Sequence, residues 1–262
     1  MIRIFIHKTC PTSLKALMFL KEKGFYDEVE IIDVAERPYE AIVNGVISVP
    51  AIFVDGKIIA MGHVDFDTLY DRITTKRVYA DEDVDAKYGL KQVFIALLDS
   101  LATAAWVYLR EDIKEIIEYR VLIEPTIGIV DWDEERKEKY LNEVYQYFLD
   151  KKDMFMKTYK RYFFKNISKN FIREQVWLYK KLPNRSVFEK YTFEVFVHWL
   201  SVRGAIGRVG MKLDVFESEH KIQRVRDVYN HIKENFDSIL NEVKKEQERI
   251  NEMQKELDEI LS

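Results

Sequence analysis

The sequence has few of the residues that cross-link, break or bend a chain. It contains one cysteine, so it forms no internal disulfide and no multi-cysteine zinc site. With 5 prolines and 9 glycines among 262 residues, it is neither collagen-like nor dominated by linkers. No apolar run approaches the roughly 18–20 residues of a membrane span, and the first residues show no signal-peptide pattern. We therefore expect a globular protein in a reducing, cytoplasmic compartment, with no membrane partner.

Charge is distributed unevenly along a chain that has ample material for a packed core. Hydrophobic residues make up 47% of the sequence, and the formal net charge is −4. Residues 81–150 carry 8 basic and 17 acidic side chains, whereas residues 151–190 carry 12 and 3. The basic segment also holds nine aromatic residues, and such a mixture can bind nucleic acid through phosphate contacts and stacking. The interpretation we favour is that the aromatic residues form core and the lysines a solvated face.

Residues 1–76 alternate short β-branched runs with amphipathic stretches. The pattern predicts an α/β domain of order β-α-β-α-β-β-α, with strands at 2–6, 29–34, 51–54 and 57–61. The first two strands are joined through a helix, so they should be parallel. Asp55-Gly56 predicts a two-residue turn, which makes the last two strands an antiparallel hairpin.

The remainder of the chain has a helical pattern. Residues 77–84 are polar and acidic, which predicts a linker. Helices are then predicted at about 86–121, 133–165, 168–181, 187–210 and 215–261. The fold class is therefore α/β followed by all-α, with domains at 1–76, 85–213 and a long helix at 214–262.

The last predicted helix has a sustained heptad pattern. Its apolar positions alternate steps of three and four residues, and eleven of twelve are apolar. The stripe consists of Ile222, Val225, Tyr229, Ile232, Phe236, Ile239, Val243, Glu246, Ile250, Met253, Leu257 and Ile260. Such a coiled-coil-type helix pairs either with a second copy, as a homodimer through 222–260, or with helices of its own chain.

The junction between the first strand and the first helix carries the residues best suited to chemistry. It reads Cys10-Pro11-Thr12-Ser13, with Lys8 just before it. Pro11 suits a first helical turn, because the N–H that proline lacks would have no intrahelical partner there. A thiol at this point faces unpaired N–H donors and the positive end of the helix dipole. These features favour a reactive thiolate at Cys10, whereas the alternative is a buried small hydrophobe.

This motif, together with Val49-Pro50 and the following hairpin, resembles the glutaredoxins of the thioredoxin superfamily. The resemblance covers residues 1–76 and implies a thioredoxin-like fold. It also implies that Pro50 is cis and that its backbone lies across from Cys10, where it pairs with an extended peptide or thiol ligand. The substrate would be a protein or small thiol or disulfide, bound by Lys8, Pro11, Thr12 and Val49.

Ser13 stands where the Cys-Pro-x-Cys motif of the family has its second cysteine. The resemblance therefore implies a monothiol, redox-active protein, in which the Cys10 thiolate forms a mixed disulfide. Ser13 would stabilise the thiolate, Pro50 would align the substrate and an external thiol would resolve the mixed disulfide. No metal or cofactor is expected, although a low-molecular-weight thiol could take part as that external thiol.

Two other functions stay open. A thioredoxin fold can display its cis-proline groove as a non-catalytic binding or assembly module, with dimerisation through the C-terminal helix. A thioredoxin-like domain followed by helices is also the layout of glutathione transferases. The segment Ala60-Met61-Gly62-His63 lacks the Gly-Gly pair that many glutaredoxins use for glutathione, which counts against a transferase. We rank thiol exchange first and the binding module second.

Overall fold

The computed structural model describes residues 1–8, 10–76, 84–207 and 212–261. The order of elements in the first part of the chain is the predicted β-α-β-α-β-β-α. These elements are β1 (Ile2–Ile6), α1 (Pro11–Glu22), β2 (Val29–Asp33), α2 (Pro38–Val43), β3 (Ala51–Val54), β4 (Lys57–Met61) and α3 (Phe66–Thr75).

The four strands form one mixed sheet in the order β2-β1-β3-β4. β1 pairs with β2 in parallel, with Ile2 opposite Val29, as the helical connection between them predicts. β3 runs antiparallel to both β1 and β4, with Ile2 opposite Val54 in the first pair. The predicted thioredoxin-like topology of this region is therefore confirmed.

Each face of the sheet carries its own core. Successive side chains of a strand point to opposite faces, so Ile4 and Ile6 of β1 enter one core and Phe5 enters the other. The first core also contains Ile250 and Met253, which are 4% and 7% exposed. Because β1 is covered on both sides, its sequence is a continuous apolar run and not an alternating one.

The hairpin between β3 and β4 turns at the predicted dipeptide. Asp55 and Gly56 both have positive φ, at 49° and 84°, as a tight turn between twisted strands requires. The Asp55 carboxylate accepts hydrogen bonds from the ammonium groups of Lys76, at 2.7 Å, and Met1, at 2.6 Å. These two cations lower the pKa of Asp55 from 3.8 to about 2, with Lys76 the larger influence.

Asp55 should make the stability of the chain depend on pH in a defined acidic window. Because its pKa is lower in the folded state, its contribution is complete above about pH 4 and is lost as the pH falls towards 2. We expect Asp55→Asn to abolish this part of the pH dependence of urea unfolding. High salt should weaken the effect in the wild type, because the carboxylate is exposed. An unchanged pH profile in Asp55→Asn would contradict the assignment.

The remainder of the described chain is helical. Its helices are α4 (Ala86–Asp99), α5 (Leu101–Arg110), α6 (Lys114–Glu118), α7 (Arg120–Ile127), α8 (Glu134–Tyr179), α9 (Arg185–Phe188), α10 (Phe193–Gly207) and α11 (Glu219–Leu261). Within the described ranges, no single helix is long and apolar enough to cross a membrane, while α4 and α5 taken as a bent pair meet that criterion by length and composition alone.

Several of the predicted helix boundaries are wrong. The helix predicted at 187–210 is two helices, α9 and α10. The predicted helix at 86–121 is four shorter helices, because Ser100 has an extended backbone and Glu111 a left-handed one, with φ of 53°. Conversely, the break predicted near Asn166 is absent, and α8 runs through it. The Asn166 side-chain amide donates a hydrogen bond to the carbonyl of Leu98, so this polar side chain does not compete with the helical backbone.

The contacts divide the chain into two compact units. The first comprises Met1–Ala96, Lys114–Tyr147 and Ile250–Ser262, and the second comprises Leu97–Ile113 and Phe148–Arg249. Within the first unit α7 contacts strand β4, and within the second α5 packs along α10. The domain boundaries expected from the sequence stay a prediction, and residues 77–83 of the expected linker lie outside the described residues.

The heptad stripe of α11 is largely buried inside the chain itself. Within the second unit its buried members are Val225, Ile232, Phe236, Ile239 and Val243. The helix departs from helical geometry at Asn235, whose side-chain amide donates to the carbonyl of His231 at 2.9 Å. This burial favours the intramolecular alternative, and dimerisation through 222–260 stays a prediction.

Glu246, the polar member of the stripe, has two cationic partners on α8. Its carboxylate lies 2.6 Å from the Lys169 ammonium and 3.6 Å from the Arg173 guanidinium. All three side chains are between 20% and 26% exposed, so water screens these pairs less than it screens surface pairs. An acidic side chain is therefore tolerated at this core position because the facing helix supplies its counter-charges.

We expect Glu246→Ala to lower the free energy of unfolding by about 1–2 kcal/mol, because it leaves two half-buried cations without their carboxylate. A double-mutant cycle with Lys169→Ala, measured by urea denaturation, should return a coupling of about 1 kcal/mol. The matched control is Glu248→Ala on the same helix. Glu248 is 59% exposed and lies 3.9 Å from Lys244, so its loss should cost less than about 0.5 kcal/mol. Equal costs for the two variants would contradict the pairing.

Candidate functional site

Cys10 lies at the N-cap of α1, directly after the turn that leaves β1. Its backbone is extended, with φ of −90° and ψ of 113°, and Pro11 is the first helical residue. The Cys10 N–H donates to the His7 carbonyl at 2.8 Å, and the Cys10 carbonyl accepts from the Leu14 N–H at 3.1 Å. Cys10 is a free cysteine, and the residue is partly exposed. This cysteine is therefore accessible at a helix N-terminus and is not a buried hydrophobe.

The loop before β3 faces the thiol. The Val49–Pro50 peptide bond is cis, and the Cys10 thiol lies 3.8 Å from the Val49 carbonyl oxygen. Pro50 is buried, and its carbonyl accepts from the Gly62 N–H at 2.8 Å, which ties the loop to the end of β4. The structure thus brings together two of the predicted catalytic residues and Val49, which are about 40 positions apart in the sequence.

Ser13 lies beneath the loop that precedes Cys10. Its side chain is fully buried, and its hydroxyl oxygen accepts a hydrogen bond from the His7 N–H at 3.4 Å. This contact holds the start of the loop against the first turn of α1. The donation of a Ser13 hydrogen bond to the sulfur stays a prediction. Pro11 and Thr12 are partly exposed beside the thiol, and Thr9 lies outside the described residues.

Lys8 points its ammonium group at two carboxylates. The Lys8 Nζ lies 2.9 Å from Glu36 Oε1 and 3.8 Å from Asp33 Oδ2, and Asp33 is 8% exposed. These partners are not among those predicted from the sequence, although the strand order contains a signal for them. Because β1 and β2 are parallel, the residues that follow them lie at the same edge of the sheet. The positive charge of Lys8 is thus largely balanced by Asp33 at the end of β2 and by Glu36 after it.

Gly62 occupies a position beside the cis-proline loop that only glycine fits without strain. Its φ is +75°, a conformation that residues with a side chain rarely adopt. A Cβ atom built there would lie 2.7 Å from the Ser48 hydroxyl oxygen. The backbone of the turn before α3 can therefore approach the segment that carries Val49 and Pro50.

Comparison with protein families identifies the first part of the chain. Residues 2–59 match the model of the glutaredoxin family. The N-terminal domain is glutaredoxin-like. The match includes Cys10, Ser13, Val49 and Pro50, and it covers about a fifth of the chain. No curated protein and no solved structure matches the chain significantly. The glutaredoxin-like domain is consistent with thiol-disulfide oxidoreductase chemistry or with another function of the thioredoxin fold.

The basic segment at 151–190 is the second candidate site. Three of its aromatic residues are buried in the helical core, namely Phe163, Phe171 and Phe188. Several of its cations pair with carboxylates of α11, in the pairs Lys165–Glu242, Lys169–Glu246, Arg173–Glu246 and Arg185–Asp237. Both observations favour the interpretation as core and solvated face. Nucleic-acid binding by this segment stays a prediction.

Replacement of Gly62 should destabilise the N-terminal domain and displace the cis-proline loop. We expect Gly62→Ala to lower the free energy of unfolding by about 2–4 kcal/mol, from its positive φ and from the contact with Ser48 together. Gly24→Ala is the matched control, because Gly24 has φ of +78° but open space around it. It should cost only about 1 kcal/mol by urea denaturation. Ser48→Gly should restore part of the stability of Gly62→Ala, and a failure to do so would contradict the steric account.

Proposed function

We propose that the protein carries out monothiol thiol-disulfide exchange at Cys10. The observation that carries this proposal is the position of Cys10, a partly exposed residue at the N-terminus of α1 whose thiol lies 3.8 Å from the Val49 carbonyl oxygen. A helix N-terminus favours negative charge, so it supports the thiolate that attacks a disulfide. The glutaredoxin match over residues 2–59 supports the same class of chemistry.

The single cysteine determines how the reaction must be completed. The Cys10 thiolate attacks one sulfur of a disulfide, forms a mixed disulfide with it and releases the other half as a thiolate, which takes a proton from water. The chain has no second cysteine to attack this intermediate. A second, external thiolate therefore attacks the partner's sulfur, forms a new disulfide with it and restores the Cys10 thiolate. The substrate disulfide is therefore reduced only as the external thiol is oxidised into the new disulfide.

The backbone beside the thiol suits an extended ligand. Val49 lies in the bend before β3 and is partly exposed, and among the described residues its N–H has no hydrogen-bond partner. An extended peptide or a peptide-like thiol can pair with the main chain of such a segment, in the manner of an added strand. This pairing would hold the substrate sulfur near Cys10. It would not select particular side chains of the substrate, because only main-chain groups take part.

We expect Cys10→Ser to reduce disulfide exchange to the rate measured without protein, because a hydroxyl does not replace a thiolate in this reaction. The assay follows reduction of bis(2-hydroxyethyl) disulfide by glutathione, which serves as the external thiol. Lys21→Ala, an exposed position at the far end of α1, is the control and should retain the wild-type rate. Exchange that survives in Cys10→Ser would refute the proposed function.

The second candidate function is a non-catalytic binding module. The observation in its favour is the partly exposed main chain at Val49. This segment can pair with a peptide whether or not the thiol reacts. In this case Cys10→Ser would leave ligand binding intact and the wild type would show no exchange. A glutathione-transferase-like activity is the third, and retention of the protein on immobilised glutathione would be the observation in its favour.

A further inference from the structure

The segment that closes the first core comes from the far part of the sequence. Ile250 and Met253 of α11 are 4% and 7% exposed, and they pack in the same core as Ile4, Ile6 and Leu14. Both belong to the first compact unit together with the sheet. The turns of α11 around residue 250 are therefore a structural part of the glutaredoxin-like domain.

Gln254 follows Met253 and reaches the loop that carries the thiol. Its side-chain amide nitrogen donates a hydrogen bond to the main-chain carbonyl of Lys8 at 2.7 Å. Lys8 precedes Cys10 by two residues and lies in the turn closed by the bond from the Cys10 N–H to the His7 carbonyl. The contact joins residues 246 positions apart and is partly buried.

Five contacts described here hold this short loop, and they act on four different groups of it. The Ser13 hydroxyl accepts a hydrogen bond from the His7 N–H, and the Cys10 N–H donates one to the His7 carbonyl. The carboxylates of Asp33 and Glu36 form ion pairs with the Lys8 ammonium. The fifth is the bond that the Gln254 amide donates to the Lys8 carbonyl. Among these five, it is the contact that comes from outside the segment matched to the glutaredoxin family.

We propose that Gln254 is a positioning residue for Cys10: its amide fixes the Lys8 carbonyl and thereby the direction in which the thiol faces the Val49 backbone. This inference rests on the proposed thiol exchange. An oriented thiol matters most for a substrate that is itself held by the loop at Val49. A small reagent that collides with the sulfur from solution does not need this alignment.

The test compares two reactions of the full-length chain. The first is exchange with a disulfide formed between an extended peptide and glutathione, with glutathione as the external thiol. The second is alkylation of Cys10 by iodoacetamide across a range of pH. Gln254→Ala removes the donor, and Gln254→Glu replaces it at nearly the same size with a group that accepts hydrogen bonds when ionised.

We expect both Gln254 variants to slow peptide exchange by about 3- to 10-fold, the equivalent of one net hydrogen bond. Their rate and pH profile of iodoacetamide alkylation should stay within about twofold of the wild type. Met253→Ala is the matched control: it leaves the Gln254 amide in place and removes only core packing. It should lower the melting temperature and leave the exchange rate of the folded protein unchanged.

The outcomes separate this inference from the proposed function. Wild-type exchange rates in both Gln254 variants would overturn the positioning role and leave thiol exchange standing. The positioning role would also be overturned if the exchange rate fell in step with the melting temperature in Met253→Ala as well as in the Gln254 variants. The segment would then act through stability alone. Absence of exchange in the wild type would refute the proposed function and this inference with it.

Discussion

The candidate site depends on the antiparallel pairing of β1 with β3. Because these neighbouring strands run in opposite directions, the residues that follow β1 and those that precede β3 lie at one edge of the sheet. Phe5 pairs with Ala51, and this register brings Cys10 within 3.8 Å of the Val49 carbonyl. β1 is buried on both faces. A slip of one residue in its pairing would move Phe5 to the face of the sheet that Ile4 and Ile6 occupy. The register that packs the core is thus also the one that forms the site.

Local patterns predicted the parts of the structure that local forces determine. The apolar strands, the turn at Asp55 and the helix start at Pro11 follow from side-chain branching, backbone freedom and the missing N–H of proline. The breaks at Ser100 and Glu111 escaped prediction because neither is a glycine or a proline, the residues that most strongly mark the end of a helix in a sequence. The partners of Lys8 and the contact of Gln254 escaped because they join segments that only the tertiary fold brings together.

The serine in the motif has a structural explanation of its own. Ser13 is fully buried and accepts a hydrogen bond from the His7 N–H, a role for which a hydroxyl oxygen is better suited than a sulfur. The position that holds a second cysteine in dithiol members of the family therefore anchors the loop before Cys10 here.

The core that Ile250 and Met253 complete also constrains the order of events during synthesis. A ribosome releases the sheet and the cysteine loop long before it adds these two residues, so the nascent domain has an uncovered apolar patch for most of translation. The hydrogen bond to the carbonyl of Lys8 likewise cannot form before Gln254 is synthesised. Maturation of the thiol site is therefore coupled to completion of nearly the whole helical region, and a truncated translation product would carry the family's motif without its finished surroundings.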